Sequence, residues 1–345
     1  MIQQTNQPWS EDKLDDMLSQ PASDLIADIK KIEGDIVVIG GGGKMGPSLC
    51  VLAKRAVEAA GVTKKIIAVD LFPDEMSRPY LEKNGVECVK VDLLYAKQVA
   101  GLPDAPNVLY MAGRKFGTQG AEHMTWAMNT IIPMHIAQRY NKSKVVVFSS
   151  GNIYPLTPVY LGGATESTPV NPVGEYAMSC LGRERVFDFF AREKGLKCCF
   201  YRLNYAVALR YGVLYDIANT ILSGESVSLA PTAFNCIWQG DANAIAIRAL
   251  LHCGTPPKIF NVTGPETVSM QNTAKRIAAM LNKEISLIGE EQLTALLSNA
   301  GKAMATFGYP KVSMDTLINW QVEWLKSGGS SLGKPTHFEQ REGKF

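Results

Sequence analysis

The run Asp35-Ile-Val-Val-Ile-Gly40-Gly-Gly-Gly43-Lys44-Met45-Gly46 leads from an apolar stretch into a glycine-rich turn, and Pro47 to Ala56 continues it with an amphipathic pattern. The chemistry this spacing allows is phosphate binding. One glycine turns sharply off a strand, a second lets the backbone touch a pyrophosphate, and a third lets a helix pack against the strand. The helix N-terminus then points free N–H groups at the phosphates. Gly41, Gly43 and Gly46 satisfy G-x-G-x-x-G, whereas Gly40, Gly43 and Gly46 satisfy the wider G-x-x-G-x-x-G, and the turn alone leaves both open. Asp70 ends the next apolar stretch, Lys64 to Asp70, 24 residues after Gly46. A carboxylate there accepts hydrogen bonds from a ribose. Lys44 would attract a 2′-phosphate and Asp70 would repel one, so with Asp70 at the ribose position NAD is expected over NADP.

A second set of reactive side chains follows. The stretch Lys144-Val-Val-Val-Phe-Ser-Ser150 runs into Gly151-Asn152-Ile-Tyr154-Pro155, and Tyr176 comes 26 residues after Ser150. The elements that must hold these residues are legible as an alternation. Strands are expected over 35–40, 64–70, 86–92, 107–112 and 144–150, with helices over 46–60, 77–84, near 95–101 and over 121–140. A loop over 151–173, a helix over 174–194 and a strand over 197–203 complete it. Such alternation predicts an α/β fold, a Rossmann-type doubly wound parallel sheet with a smaller C-terminal α/β substrate lobe. Ligands of such sheets gather at the C-terminal ends of the strands, where Ser150, Asn152 and Tyr154 fall. The expected divisions are an N-terminal helical extension over 1–34, opened by Ser10 as an N-cap, a nucleotide-binding domain over 35–205, a stretch over 206–326 that is mainly substrate lobe, and an extended, wrapping tail over 327–345.

Composition narrows the partners. At 345 residues the chain can bury a large core, and with a formal net charge of +2 its bulk charge points to no polyanion, so no nucleic-acid partner is expected. Apolar runs are strand-sized, so no membrane span is expected. The N-terminus lacks the basic start and apolar core of a secretory signal, which makes the cytoplasm the default compartment. Seven cysteines at irregular spacing read as reduced, packed thiols, and neither they nor the four scattered histidines form a metal-ligand pattern.

The run Phe148-Ser-Ser-Gly-Asn-Ile-Tyr-Pro155, then Thr165-Glu-Ser-Thr-Pro169, then Glu175-Tyr176-Ala-Met-Ser resembles the extended short-chain dehydrogenase/reductase family, which includes NAD-dependent sugar epimerases and dehydratases. Looser motifs continue the resemblance in the right order over residues 35 to about 326: Gly224-Glu-Ser-Val, Ile237-Trp-Gln-Gly-Asp241-Ala, Phe260-Asn-Val-Thr-Gly264 and Phe307-Gly-Tyr-Pro310. The resemblance implies that Asp92 and Leu93 meet the adenine, that Ala112 and Gly113 line the cofactor cleft, and that Asn129 supports its nicotinamide half. It implies that Ser150 hydrogen-bonds the reacting hydroxyl and that Tyr176 exchanges its proton. Asn152, Tyr154, Arg202 and Asn204 fall at strand ends that line the family's substrate pocket. The family's lysine four residues after the tyrosine is here Cys180.

A neutral thiol supplies no charge to favour phenolate, and a tyrosine near its reference pKa of about 10 is a poor base at neutral pH. Lys115, in the loop after the fourth strand, is the candidate substitute. Cys180 as a thiolate nucleophile lacks a neighbouring histidine to activate it. The resemblance further implies a homodimer built through helices 121–140 and 174–194. Two functions follow: an NAD-dependent oxidoreductase or epimerase acting on a hydroxyl carbon of a small-molecule sugar, sugar acid or nucleotide sugar, or a NAD-binding protein with altered or lost chemistry that serves as a sensor or partner subunit.

Overall fold

The computed structural model describes residues 8–115 and 117–343. The first seven residues, part of the stretch on which the absence of a secretory start rests, and the last two of the tail lie outside them. Seven strands form one parallel sheet: β1 (Ile36–Ile39), β2 (Ile66–Asp70), β3 (Glu87–Lys90), β4 (Asn107–Tyr110), β5 (Lys144–Ser150), β6 (Lys197–Leu203) and β7 (Lys258–Val262). Their order is β7-β6-β5-β4-β1-β2-β3. Ile36 pairs with both Ile66 and Asn107, so β1 lies between β2 and β4 and the order reverses there. That reversal opens the crevice in which doubly wound sheets bind ligands.

The central strands are apolar without interruption because both faces are covered. Ile36 and Val38 face a layer containing Leu49, Ala53, Ala246 and Leu250, while Val37 and Ile39 face Val99, Ile136, Phe187 and Phe190. The helices α1 (Glu11–Leu18) and α2 (Ser23–Ile29) dock outside α3 (Gly46–Ala59), and Ser10 caps α1 by accepting the Lys13 N–H. The stretch 206–326 divides. One helix, Gln239–Arg248, packs on α3, and β7 joins the main sheet. Three others, Val213–Leu222, Met270–Leu281 and Met314–Lys326, build the lobe around Trp238, Trp320 and Trp324.

The helix expected over 121–140 has a widened turn in its middle: Glu122–Trp126 and Ile132–Arg139 are α-helical, and Ala127–Ile131 is π-helical. Pro133 explains it, since a proline offers no N–H to the carbonyl four residues back. The tail runs over the surface without helix or strand. The Leu332 N–H donates to the Arg210 carbonyl, the Thr336 N–H to Asp216, and Arg341 to the Thr294 carbonyl at 2.8 Å.

Candidate active site

The glycine turn chooses the wider spacing. Gly40 has φ +86°, and a Cβ on it would lie 2.7 Å from the Ala112 nitrogen. A Cβ on Gly46 would lie 2.4 Å from the Gly41 carbonyl oxygen, so the start of α3 packs directly on the turn. Gly41 itself faces Ala68 of β2, while Gly40 and Gly43 line a cavity of about 390 Å³. Asp70, Asp92, Leu93, Ala112 and Gly113 line the same cavity. The Asp70 carboxylate is fixed at its wall by the Gly42 and Leu71 N–H groups, at 3.0 and 2.7 Å. Burial raises its pKa and these backbone donors oppose the rise. Met45 precedes the free N-terminus of α3 and no side chain caps it. A backbone cradle without side chains, an uncapped helix N-terminus and an acid at the rim together fit a dinucleotide.

Beyond the turn lies a second cavity of about 150 Å³, lined by Lys44, Lys115, Ser149, Ser150, Asn152, Tyr176, Asn204, Tyr211 and Thr336, among others. The Tyr176 hydroxyl is in hydrogen-bond contact with Ser150 and Cys180. Burial drives its pKa well above the ordinary value, the Cys180 thiol adds to this, and the Arg183 guanidinium opposes it, so Tyr176 is a phenol at neutral pH. The Lys115 ammonium sits 5.8 Å from the Tyr176 ring centroid and donates to the Thr336 carbonyl at 3.0 Å. Desolvation lowers its pKa to about 8, close to the pH at which enzymes work.

The family-level model for NAD dependent epimerase/dehydratase proteins matches residues 36–237. The chain belongs to that family. Its cofactor, by the family's description, is NAD. No curated protein matches the chain by sequence. Among solved structures this family member is similar to UDP-glucuronic acid 4-epimerase from Bacillus cereus in complex with NAD, at 14% identity and a TM-score of 0.69 over 85% of this chain and 98% of that one. UDP-glucose 4-epimerase from Thermotoga maritima with UDP-glucose matches at 18% identity and 0.69, over 85% and 99%. A short-chain dehydrogenase/reductase superfamily protein from Agrobacterium tumefaciens with bound NAD matches at 18% and 0.70, over 85% and 98%.

Within this family frame several expected site residues stand elsewhere. Lys44, expected at the cofactor, has its ammonium 3.4 Å from the Tyr211 ring centroid and lines the smaller cavity, whereas Asp70 lines the larger one. Asn129 is fully buried and committed to protein: it accepts from the Arg114 N–H and from Arg183, and donates to Ser179 and the Arg114 carbonyl. It holds the loop after β4 rather than lining either cavity. Tyr154 and Arg202 are likewise structural. Arg202 makes a two-pronged pair with Glu184 at 2.9 and 2.7 Å and donates to the Tyr154 hydroxyl at 2.6 Å, all of it buried. Cys180 is fully buried beside Ile153 and Tyr154, and burial pushes its thiol pKa up, which removes it as a thiolate nucleophile.

Arg183 went unread in the sequence. It lies seven residues after Tyr176 on helix α4 (Gly174–Lys194), two turns on and therefore on the same face. Its guanidinium is buried, donating to the Phe148 carbonyl at 2.7 Å and to Asn129 at 2.6 Å. That buried charge favours the ionised form of Tyr176. An arginine at i+7 from the tyrosine was the available signal.

Proposed function

We propose that this chain uses NAD to oxidise, reduce or epimerise a hydroxyl-bearing carbon of a sugar, sugar acid or nucleotide sugar. The observation that carries the reading is the meeting of Ser150, Tyr176 and Lys115 in one cavity wall beside the glycine-turn cavity. Gly40, Gly43, Asp70, Asp92, Leu93, Ala112 and Gly113 hold the cofactor, with Met45 and Gly46 at its phosphates. When bound, NAD supplies the acceptor or donor of hydride. Ser150 hydrogen-bonds the reacting oxygen. In the reducing direction Tyr176, held as a phenol, gives its proton to that oxygen as the hydroxyl forms. The oxidising direction returns through the phenolate, whose charge Lys115 and Arg183 stabilise in place of the family's lysine. The sugar epimerases among its structural neighbours support the substrate class.

The chain works as a cytoplasmic homodimer in this reading. Trp126, Ile131, Met134, Met178 and Phe189 are exposed on the helices over 122–139 and 174–194, an apolar face suited to a two-fold copy. Among the described residues no helix is long and apolar enough to cross a membrane. The test is NADH absorbance on screening polyols, sugar acids and nucleotide sugars, with calorimetric titration of NAD and NADP. Turnover that disappears in Tyr176→Phe supports the reading. NAD binding without turnover of any of them supports the other function, a sensor or partner subunit, which the loss of the lysine at Cys180 favours.

A further inference from the structure

We infer that the substrate is a small polyhydroxylated carboxylate without a nucleotide, its carboxylate held between the ammonium groups of Lys44 and Lys115. This rests on the reaction proposed above and narrows it. Both lysines line the 150 Å³ cavity that also holds Ser150 and Tyr176. Lys44 stands on the glycine turn, yet its ammonium faces the Tyr211 ring, and among the described residues no carboxylate forms an ion pair with it. Burial lowers its pKa well below the ordinary value, Lys115 and Lys334 lower it further, and Asp216 opposes them. Asp216 is itself occupied, accepting the N–H and hydroxyl of Thr336 at 2.8 and 2.5 Å. Two amines thus share one cavity, Asp216 acting on both and Glu339 on Lys115, and a bound carboxylate between them would favour their charged forms.

The rest of the lining suits hydroxyl groups. Asn152 and Asn204 face the cavity. Ser149 is buried there, and its hydroxyl has no hydrogen-bond partner among the described residues. A buried hydroxyl left unmatched is costly, so a ligand oxygen is its natural partner.

The cavity by itself is too small for a nucleotide. The cavity is well below the roughly 300–1,000 Å³ of usual ligand sites. The tail forms part of its wall: Thr336 lines it and is 2% exposed. Among the described residues no arginine lines the cavity to fork around a phosphate, whereas two lysines suit a single carboxylate.

Calorimetry on the full-length, NAD-loaded protein tests this with D-glucuronate, D-galacturonate and D-gluconate against D-glucose, D-glucose 6-phosphate and UDP-glucose. At least one acid should bind tenfold or more tighter than D-glucose, and UDP-glucose should give no binding. Lys44→Met and Lys115→Met should each weaken the acid tenfold or more with NAD affinity within twofold, and Lys44→Arg should restore most of it. Acids that bind no tighter than D-glucose, tighter binding of the phosphate or of UDP-glucose, or an unaffected Lys44→Met variant overturns the inference. Formation of NADH with D-glucose or UDP-glucose would sink the inference and keep the redox reading. Acid binding that depends on Lys44 without any NADH would do the reverse.

Discussion

The Lys115 ammonium stands 5.8 Å from the ring centroid of Tyr176, although one residue follows β4 and the other lies on α4. Desolvation brings Lys115 to about 8, with Cys180, Asp216 and Glu339 opposing. The ammonium form is full below that value and lost as pH rises through it. If its charge is what serves the reaction, kcat/KM is flat below pH 8 and falls above it. Lys115→Ala should lower kcat/KM by about 10²-fold or more. Lys115→Arg should remove the alkaline limb, because a guanidinium does not titrate there. A rate that instead rises through pH 8 would make the neutral amine the working form.

The sequence alone suggests that Cys180→Lys restores the family arrangement and moves the pH–rate profile down. The structure predicts otherwise. Cys180 is fully buried, with Arg183, Glu184 and Lys115 close enough to act on its thiol, and the Glu184 carboxylate is already paired with Arg202. A third cation there finds no uncommitted carboxylate, so Cys180→Lys should lose about 3–5 kcal/mol of stability in urea unfolding and gain no rate. Tyr176→Phe should abolish turnover and leave NAD affinity nearly unchanged, since the phenol acts on the reacting oxygen. A stable Cys180→Lys protein with a lowered pH optimum would contradict this account.

Much of this was legible because strong local patterns set it. The Ile-Val-Val-Ile run of β1, the glycine turn and the strand ending at Ser150 announce themselves through periodicity and through residue types that few other structures require. Side-chain direction is another matter. Whether Lys44 turns to the ribose or to Tyr211, and whether Arg202 faces a ligand or Glu184, depends on partners up to 167 positions away. The break at Pro133 was readable in principle. The tail's place in the cavity wall was not, because it rests on single hydrogen bonds such as that of Lys115 to Thr336, 221 positions on.

Asp70 is held by backbone donors at the rim of the larger cavity, and the proposed function gives its carboxylate to the ribose of NAD. Asp70→Ala should weaken NAD tenfold or more, the scale of one charge-assisted hydrogen bond at about 1.5–3 kcal/mol, and should narrow the preference over NADP. Calorimetric titration of both cofactors measures it. Tighter NADP binding by the unmodified protein would remove Asp70 from this role.

Arg202 and Glu184 share two short hydrogen bonds with side-chain exposures of only 5% and 1%. Removing the guanidinium leaves a carboxylate buried without its partner, whereas removing both leaves apolar surface in a packed site. Arg202→Met should therefore cost about 3–5 kcal/mol in urea unfolding, and the added change Glu184→Met should return much of it. At a temperature where Arg202→Met remains folded, KM should stay close to that of the unmodified protein. A large rise in KM with unchanged stability would instead return Arg202 to the substrate pocket, where its position at the end of β6 had first placed it.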